Sequence, residues 1–339
     1  MIKRIAGASA ILVALLAGGA AWLWQDMQDS LSRPLSLSQP FTFEVEAGMT
    51  IGMVAERLAG RGIIDNPRYL VLEARHTDVA RQIKTGQYQI APGSSARDLL
   101  GVIVKGEVVE YSITFIEGWS FAQLRQALAL EPRLEQTLVG LSDSEVMGAV
   151  NDSALNDSDW HPEGSFFPDT YRFAADSSDL DVLKRARQRM RTILDQEWNQ
   201  RDGELPYESP YQALIMASII EKETGLASER HSIAGVFVRR LQSGMRLQSD
   251  PTVIYGLGSD FDGNIRRIDL QTGTPYNTYV RHGLPPTPIA MPGEEAINAA
   301  LHPASGDALY FVAKGDGSHQ FSASLSEHNR AVTEYQLRR

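Results

Sequence analysis

Two glutamates, Glu221 and Glu223, close an apolar run in YQALIMASIIEKETGLASER, residues Tyr211 to Arg230, and their spacing decides what each can do. Ser209, Pro210 and Gln212 supply the N-cap, first-turn proline and N3 glutamine of a helix start, so the run is read as a helix. At 100° per residue Glu223 stacks over Ile219 and Ile220 one turn back and Met216 two turns back, whereas Glu221 falls beside Leu214 and Ala217. A carboxylate withdrawn from water without a charged partner raises its pKa and keeps its proton near neutrality. That is the property of a general acid. The plain alternative is a surface charge cluster made of the Glu-Lys-Glu triplet and Arg230.

Several elements must position such a group. Ser228 is placed to cap a following helix through Ile233 and Phe237 to Leu241, closed by Gly244. Then come MRLQSDPTVIYGLG from Met245 and a segment from Thr274 to Gly293 with five prolines, which predicts a stiff irregular loop of the kind that lines a cleft. Leu309 to Ala313 should return through Lys314-Gly315-Asp316-Gly317 to Phe321 as a hairpin. Upstream, the aromatic stretch SFFPDTYRF from Ser165 reads as a packed loop, and Asp181 to Trp198 as a helix with an apolar stripe of Leu183, Met190 and Leu194. A strand, a glycine turn, a capping residue and an amphipathic helix recur from Phe43, Tyr88 and Thr114, with caps at Thr50, Ser95 and Ser120. The order from Phe41 to about Lys105, strand, helix, helix, strand, resembles the LysM carbohydrate-binding module.

The chain of 339 residues is 43% hydrophobic, carries net charge −10 and lacks cysteine. An acidic chain without a basic cluster argues against nucleic acid as a partner. Disulfides and thiolate metal sites are excluded, and the seven histidines are scattered with no HExxH pairing, so neither metal nor cofactor is expected. Lys3 and Arg4 precede an uncharged run from Ile5 to Trp24. At about 1.5 Å per residue this run matches a hydrocarbon core of roughly 30 Å, and the flanking charges predict a cytoplasmic N-terminus. A cleaved signal peptide is the alternative, because Ala17 to Ala21 are small. The expected organisation is a cytoplasmic N-terminus 1–4, a transmembrane signal-anchor 5–24, a polar linker 25–40, a small LysM-like α/β module 41–106 and a larger mixed α+β catalytic domain 107–339.

Taken together, ASIIEKET with ASER, GMRLQSDPTVIYGLG, YNTYVRHGLPP, EGSFFPDTY and the terminal YFVAKGDGSHQFSASLSEHN resemble the endolytic murein transglycosylase family, also called YceG-like. The resemblance covers nearly all of the chain beyond the first apolar run. It implies a single-pass protein of the inner (plasma) membrane with a periplasmic catalytic domain. Such a protein cuts the β-1,4 bond between N-acetylmuramic acid and N-acetylglucosamine in nascent peptidoglycan strands, ends their elongation and works beside peptidoglycan synthases (penicillin-binding proteins). The family's catalytic glutamate maps onto Glu223. In such a lyase the muramic C6 hydroxyl attacks C1, so one carboxyl acts first as acid and then as base and leaves a 1,6-anhydro end. Gln248, Asp250, Tyr255, Asn277, Tyr279 and Glu163 lie in the matching segments and are candidates for sugar contact, with turn-stabilising or packing roles as the alternative. Two other activities compete: a lysozyme-type muramidase in which Asp250 or Glu163 activates water, and a non-catalytic peptidoglycan-binding scaffold.

Overall fold

The structure is a computed structural model that describes residues 2–151, 160–175 and 177–337, with side chains from residue 11 onward. Its contacts divide the chain into two compact units, Met1–Tyr111 with Phe173–Asp176, and Ser112–Arg172 with Ser177–Arg339. The described residues form a mixture of helices and three two-stranded sheets, in agreement with the α/β (α+β) expectation.

The first unit opens with helix α1 (Ile2–Ser32) and continues with β1 (Phe41–Val45), α2 (Ile51–Gly60), α3 (Pro67–His76), β2 (Gly86–Ile90) and α4 (Ala96–Lys105). Strands β1 and β2 pair antiparallel with Phe43 opposite Tyr88, which gives the strand, helix, helix, strand order read from the sequence. Thr50 and Asn66 accept hydrogen bonds at the starts of α2 and α3, and Ser95 forms a reciprocal capping box with Asp98 at α4. The expected linker 25–40 is corrected in its first half. Helix α1 continues to Ser32 because Met27 and Leu31 face inward and are buried in the core of this unit with Val54, Leu58, Leu70 and Leu99. Asp26 accepts a 2.6 Å bond from the Tyr69 hydroxyl, and Arg97 reaches Gln28 and Ser32, so the end of α1 is fixed by side chains of α3 and α4. Of the expected span 5–24, the side chains of residues 5–10 lie outside the described residues. Ile11, Leu12, Val13, Leu15 and Leu16 are exposed, and no helix among the described residues is long and apolar enough to cross a membrane.

The chain passes between the units along β3 (Glu110–Thr114) and β4 (Thr170–Ala174), which pair with each other. The second unit contains α5 (Phe121–Ala129), α6 (Asp143–Val150), α7 (Asp179–Gln200), α8 (Pro210–Glu223), α9 (Arg230–Gln242), α10 (Asp250–Leu257), α11 (Arg267–Gln271) and α12 (Glu294–Leu301). The antiparallel hairpin β5 (Tyr310–Ala313) and β6 (His319–Ser322) and helix α13 (Leu325–Val332) complete it. Strand β4 takes up the end of the SFFPDTYRF segment, where only a packed loop was expected. Phe166 and Phe167 ahead of it are buried as anticipated.

Helix α8 is the axis of the second core. Every residue from Ala213 to Ile220 is buried, because α7, α9, α10 and α12 pack around it. A helix apolar on all sides is stable only where neighbours cover all sides, and each fully buried Ile or Leu contributes about 1.5–3 kcal/mol. The expectation of one apolar stripe is therefore corrected. The helix is central, and Glu221 and Glu223 leave the core together at its end.

Candidate active site

Helix α8 starts as its sequence dictates, with Gln212 N–H donating to Ser209 Oγ at 3.4 Å, although the Gln212 side chain accepts from Glu208 N–H and not from Ser209. It stops at Glu223, whose successor Thr224 is extended and buried. Glu223 is thus the last helical residue. There the unpaired carbonyls concentrate negative potential, an environment that itself disfavours a carboxylate.

The carboxyl of Glu223 is closely surrounded by protein, yet the residue keeps partial solvent exposure. Burial pushes its pKa up to about 7. A hydrogen bond from Ser249 and the charge of Arg240 pull the other way, and the neighbouring Asp250 pushes further up. Ser249 Oγ donates to Glu223 Oε1 at 2.5 Å. Arg240 is held by Leu247 O and Leu309 O, both at 2.6 Å, with its guanidinium 5.2 Å from the Tyr310 ring centroid. It supplies positive charge near Glu223 without an ion pair, and that leaves the acid free to hold its proton.

Glu221 ends differently. Its Oε2 accepts from Gly293 N–H at 3.0 Å, at the N-cap of α12, where the helix terminus favours a carboxylate. Burial raises its pKa as well, with Glu117 adding to the shift. Its role is to tie α8 to α12.

Asp250, exposed at the first position of α10, accepts a 2.6 Å bond from the Tyr279 hydroxyl. Gln248, also exposed, has φ 53°, a left-handed conformation rarely adopted outside glycine, asparagine and aspartate. It turns the chain so that Ser249 beside it points inward. Asp250 and Tyr279 are brought near Glu223, and the exposed Gln248 precedes Ser249 in the chain. Asn277 is corrected as a sugar ligand: it is fully buried, its amide donates to Asp269 O and Thr272 O, and its oxygen accepts from Tyr279 N–H. Every polar atom of that side chain holds the loop that carries Tyr279.

Glu163 and Tyr255 form a separate pair. Glu163 is 4% exposed; its two oxygens accept from Phe121 N–H at 2.9 Å and from Tyr255 Oη at 3.1 Å. Burial pushes this carboxyl also to about 7. Tyr255 packs edge-on against Tyr276 with centroids 4.8 Å apart. Two glycines allow this closeness: a Cβ on Gly256 would lie 2.6 Å from Thr274 Oγ1, and one on Gly164, at φ 76°, only 2.4 Å from Pro288.

Sequence reasoning missed Ser249, Thr252, Thr278 and Arg240. Ser249 stands at the N-cap of α10, yet its side chain makes no cap bond. No group of acidic and imidazole side chains among the described residues is arranged to hold a metal ion.

The YceG-like family model matches residues 43–334. The chain is 30% identical over 321 residues to the endolytic murein transglycosylase of Bacillus subtilis, an alignment covering 90% of this chain and 88% of that protein. It is 26% identical over 364 residues to a protein of the same name from Streptococcus pneumoniae, covering 96% of this chain and 64% of that longer relative. Among solved structures, the 2.6 Å crystal structure of a protein described as YceG-like from Listeria monocytogenes superposes with a TM-score of 0.54 at 29% identity, covering 87% of this chain and 99% of that one. Read with the matching site segments, these likenesses leave one assignment: the chain belongs to the YceG-like family.

Proposed function

We propose that this chain is an endolytic peptidoglycan lytic transglycosylase with Glu223 as its catalytic residue. The observation that carries the reading is a partly solvent-open carboxyl whose pKa is raised to about 7 and which keeps one oxygen uncommitted. Glu223 protonates the bridging oxygen as the bond from muramic C1 to that oxygen breaks. The C6 hydroxyl of the same muramic residue then attacks C1 and returns its proton to Glu223. One C–O bond is lost and one is formed, no water is consumed, and the acid ends protonated as it began. Because the nucleophile is intramolecular, its prepaid orientation supplies about 7–11 kcal/mol of the barrier reduction and a second carboxylate is unnecessary.

Asp250 with Tyr279, and Gln248 beside them, are proposed to contact the saccharide. Tyr255 contributes through its packing against Tyr276. Glu163 is unsuited to activate water in a muramidase, since both its oxygens are engaged and it is almost wholly buried. The uncharged run from Ile5 to Trp24 behind Lys3 and Arg4 supports a single-pass anchor in the inner membrane, with a cytoplasmic N-terminus, a periplasmic catalytic domain and a peptidoglycan synthase as a neighbour. The β1–α2–α3–β2 unit is proposed to touch glycan as a LysM-like module. The test is digestion of purified glycan strands followed by mass analysis of the new ends. Ends lacking one water at the muramic residue are expected, and reducing ends would replace the lyase by a hydrolase. Alkali washing of membranes tests the anchor, which should keep the chain in the pellet; its release would point to a cleaved signal.

A further inference from the structure

The serine that meets Glu223 occupies a helix N-cap, where a serine hydroxyl normally accepts from the first-turn amides. Here it does not. Ser249 is 1% exposed, and its backbone is held by two further buried hydroxyls, Thr252 and Thr278. Thr252 Oγ1 donates to Ser249 O at 2.7 Å, which spends its only proton. The 2.9 Å contact between Thr252 and Thr278 must then be donated by Thr278, which leaves Thr278 Oγ1 as the acceptor for Ser249 N–H at 3.0 Å. Each hydroxyl has one direction available. The chain Ser249 N–H, Thr278, Thr252, Ser249 O closes on itself and fixes the serine backbone at both its N–H and its C=O.

The serine hydroxyl is left with one task. Its proton finds Glu223 Oε1 at 2.5 Å, and no other acceptor for it is found among the described residues. If Glu223 instead carried its proton on Oε1 and donated to the serine, the serine proton would be buried without a partner, at a cost of about 1–3 kcal/mol. Oε1 therefore accepts in both protonation states, and the proton of the neutral acid resides on Oε2.

We propose that Ser249, clamped by Thr252 and Thr278, is a positioning residue that confines the transferable proton of Glu223 to Oε2, so that one defined oxygen both gives the proton to the glycosidic oxygen and takes it back from the C6 hydroxyl. The proposal rests on the reading of Glu223 given above. It follows that removing the serine hydroxyl both frees the proton to occupy either oxygen and removes a donor that favours the ionised form, so the acid weakens and its pKa rises.

The test is the pH dependence of kcat/KM on purified glycan strands for the parent, Ser249→Ala and Glu223→Gln, with the Glu223 carboxyl titrated by carbon-13 NMR and assigned by its absence in Glu223→Gln. In Ser249→Ala the alkaline limb and the carboxyl titration should both move up by about one pH unit, with activity at neutral pH falling roughly tenfold. A merely structural serine would lower activity without moving either. If Glu223→Gln is inactive and Ser249→Ala titrates as the parent does, the positioning role is overturned and the acid stands. If Glu223→Gln retains activity, the reading of Glu223 itself fails. Should Ser249→Ala not fold, Thr278→Val removes one oxygen of the clamp and takes its place: a smaller upward movement of the limb is expected, and an unmoved limb overturns the proposal.

Discussion

Two carboxyl sites among the described residues of the second unit have pKa values raised to the same level, about 7, but they differ in whether an oxygen is left without a protein donor. Glu163 is sealed, with both oxygens bonded to protein donors, and its desolvation is a cost of packing the loop from Trp160 against α5 and α10. Glu223 stands at a helix end, partly open to solvent, with Ser249 on one oxygen and the other uncommitted. The difference teaches that a displaced pKa does not by itself locate an acid. What matters is whether a lone pair and a path to solvent remain.

That comparison can be broken most sharply at Glu223. Glu223→Gln keeps an acceptor for Ser249 and loses the proton, so glycan cleavage should fall at least about a thousandfold with the thermal midpoint preserved, as measured by muropeptide release and melting. Replacement of Glu163 should instead act on stability. Both carboxyls have folded-state values raised from 4.5 to about 7, so the neutral form favours the fold. Their contribution is fully present below about pH 4.5 and is lost as the pH rises through about 7. Glu163→Gln should therefore match the parent near pH 4.5 and exceed it by roughly 1–2 kcal/mol at pH 8, in denaturant titrations at the two pH values. Cleavage by this variant should stay within about tenfold of the parent. Tyr255→Phe leaves one Glu163 oxygen without its donor and should cost about 1 kcal/mol in the same titrations, with the aromatic packing on Tyr276 retained. The smallest effect belongs to Glu221→Gln, whose amide oxygen still accepts from Gly293 N–H. Its cleavage rate should remain within about threefold of the parent, and a loss equal to that of Glu223→Gln would end the distinction between the two glutamates.

How much of this was legible in the sequence follows from the range of the interactions. Thr50, Ser95, Ser120 and Ser209 all cap the helices they precede, because a cap is decided within four residues. The hairpin β5–β6 was legible for the same reason. Ser228 was not: it lies in a short 3-10 turn, Ala227–Glu229, and α9 begins at Arg230 without a side-chain cap. Helical spacing placed Glu223 over Ile219, Ile220 and Met216 correctly, but it could not show that α7, α9, α10 and α12 cover the whole of α8. Nor could it show that Glu221 is partly buried too. Met27 and Leu31 were read as linker because their partners, Leu70 and Leu99, are more than thirty residues away in the chain. Ser249 was hidden most completely, since the partner of its hydroxyl lies 26 residues upstream.

The central claim, that Glu223 is the sole acid and base and the substrate supplies its own nucleophile, is tested most directly by cleavage of glycan strands in water enriched in heavy oxygen. Muramic ends that carry no heavy oxygen and lack one water are the predicted result, with Glu223→Gln producing none of them. Ends that incorporate the label would show that water attacks C1 and would contradict the account.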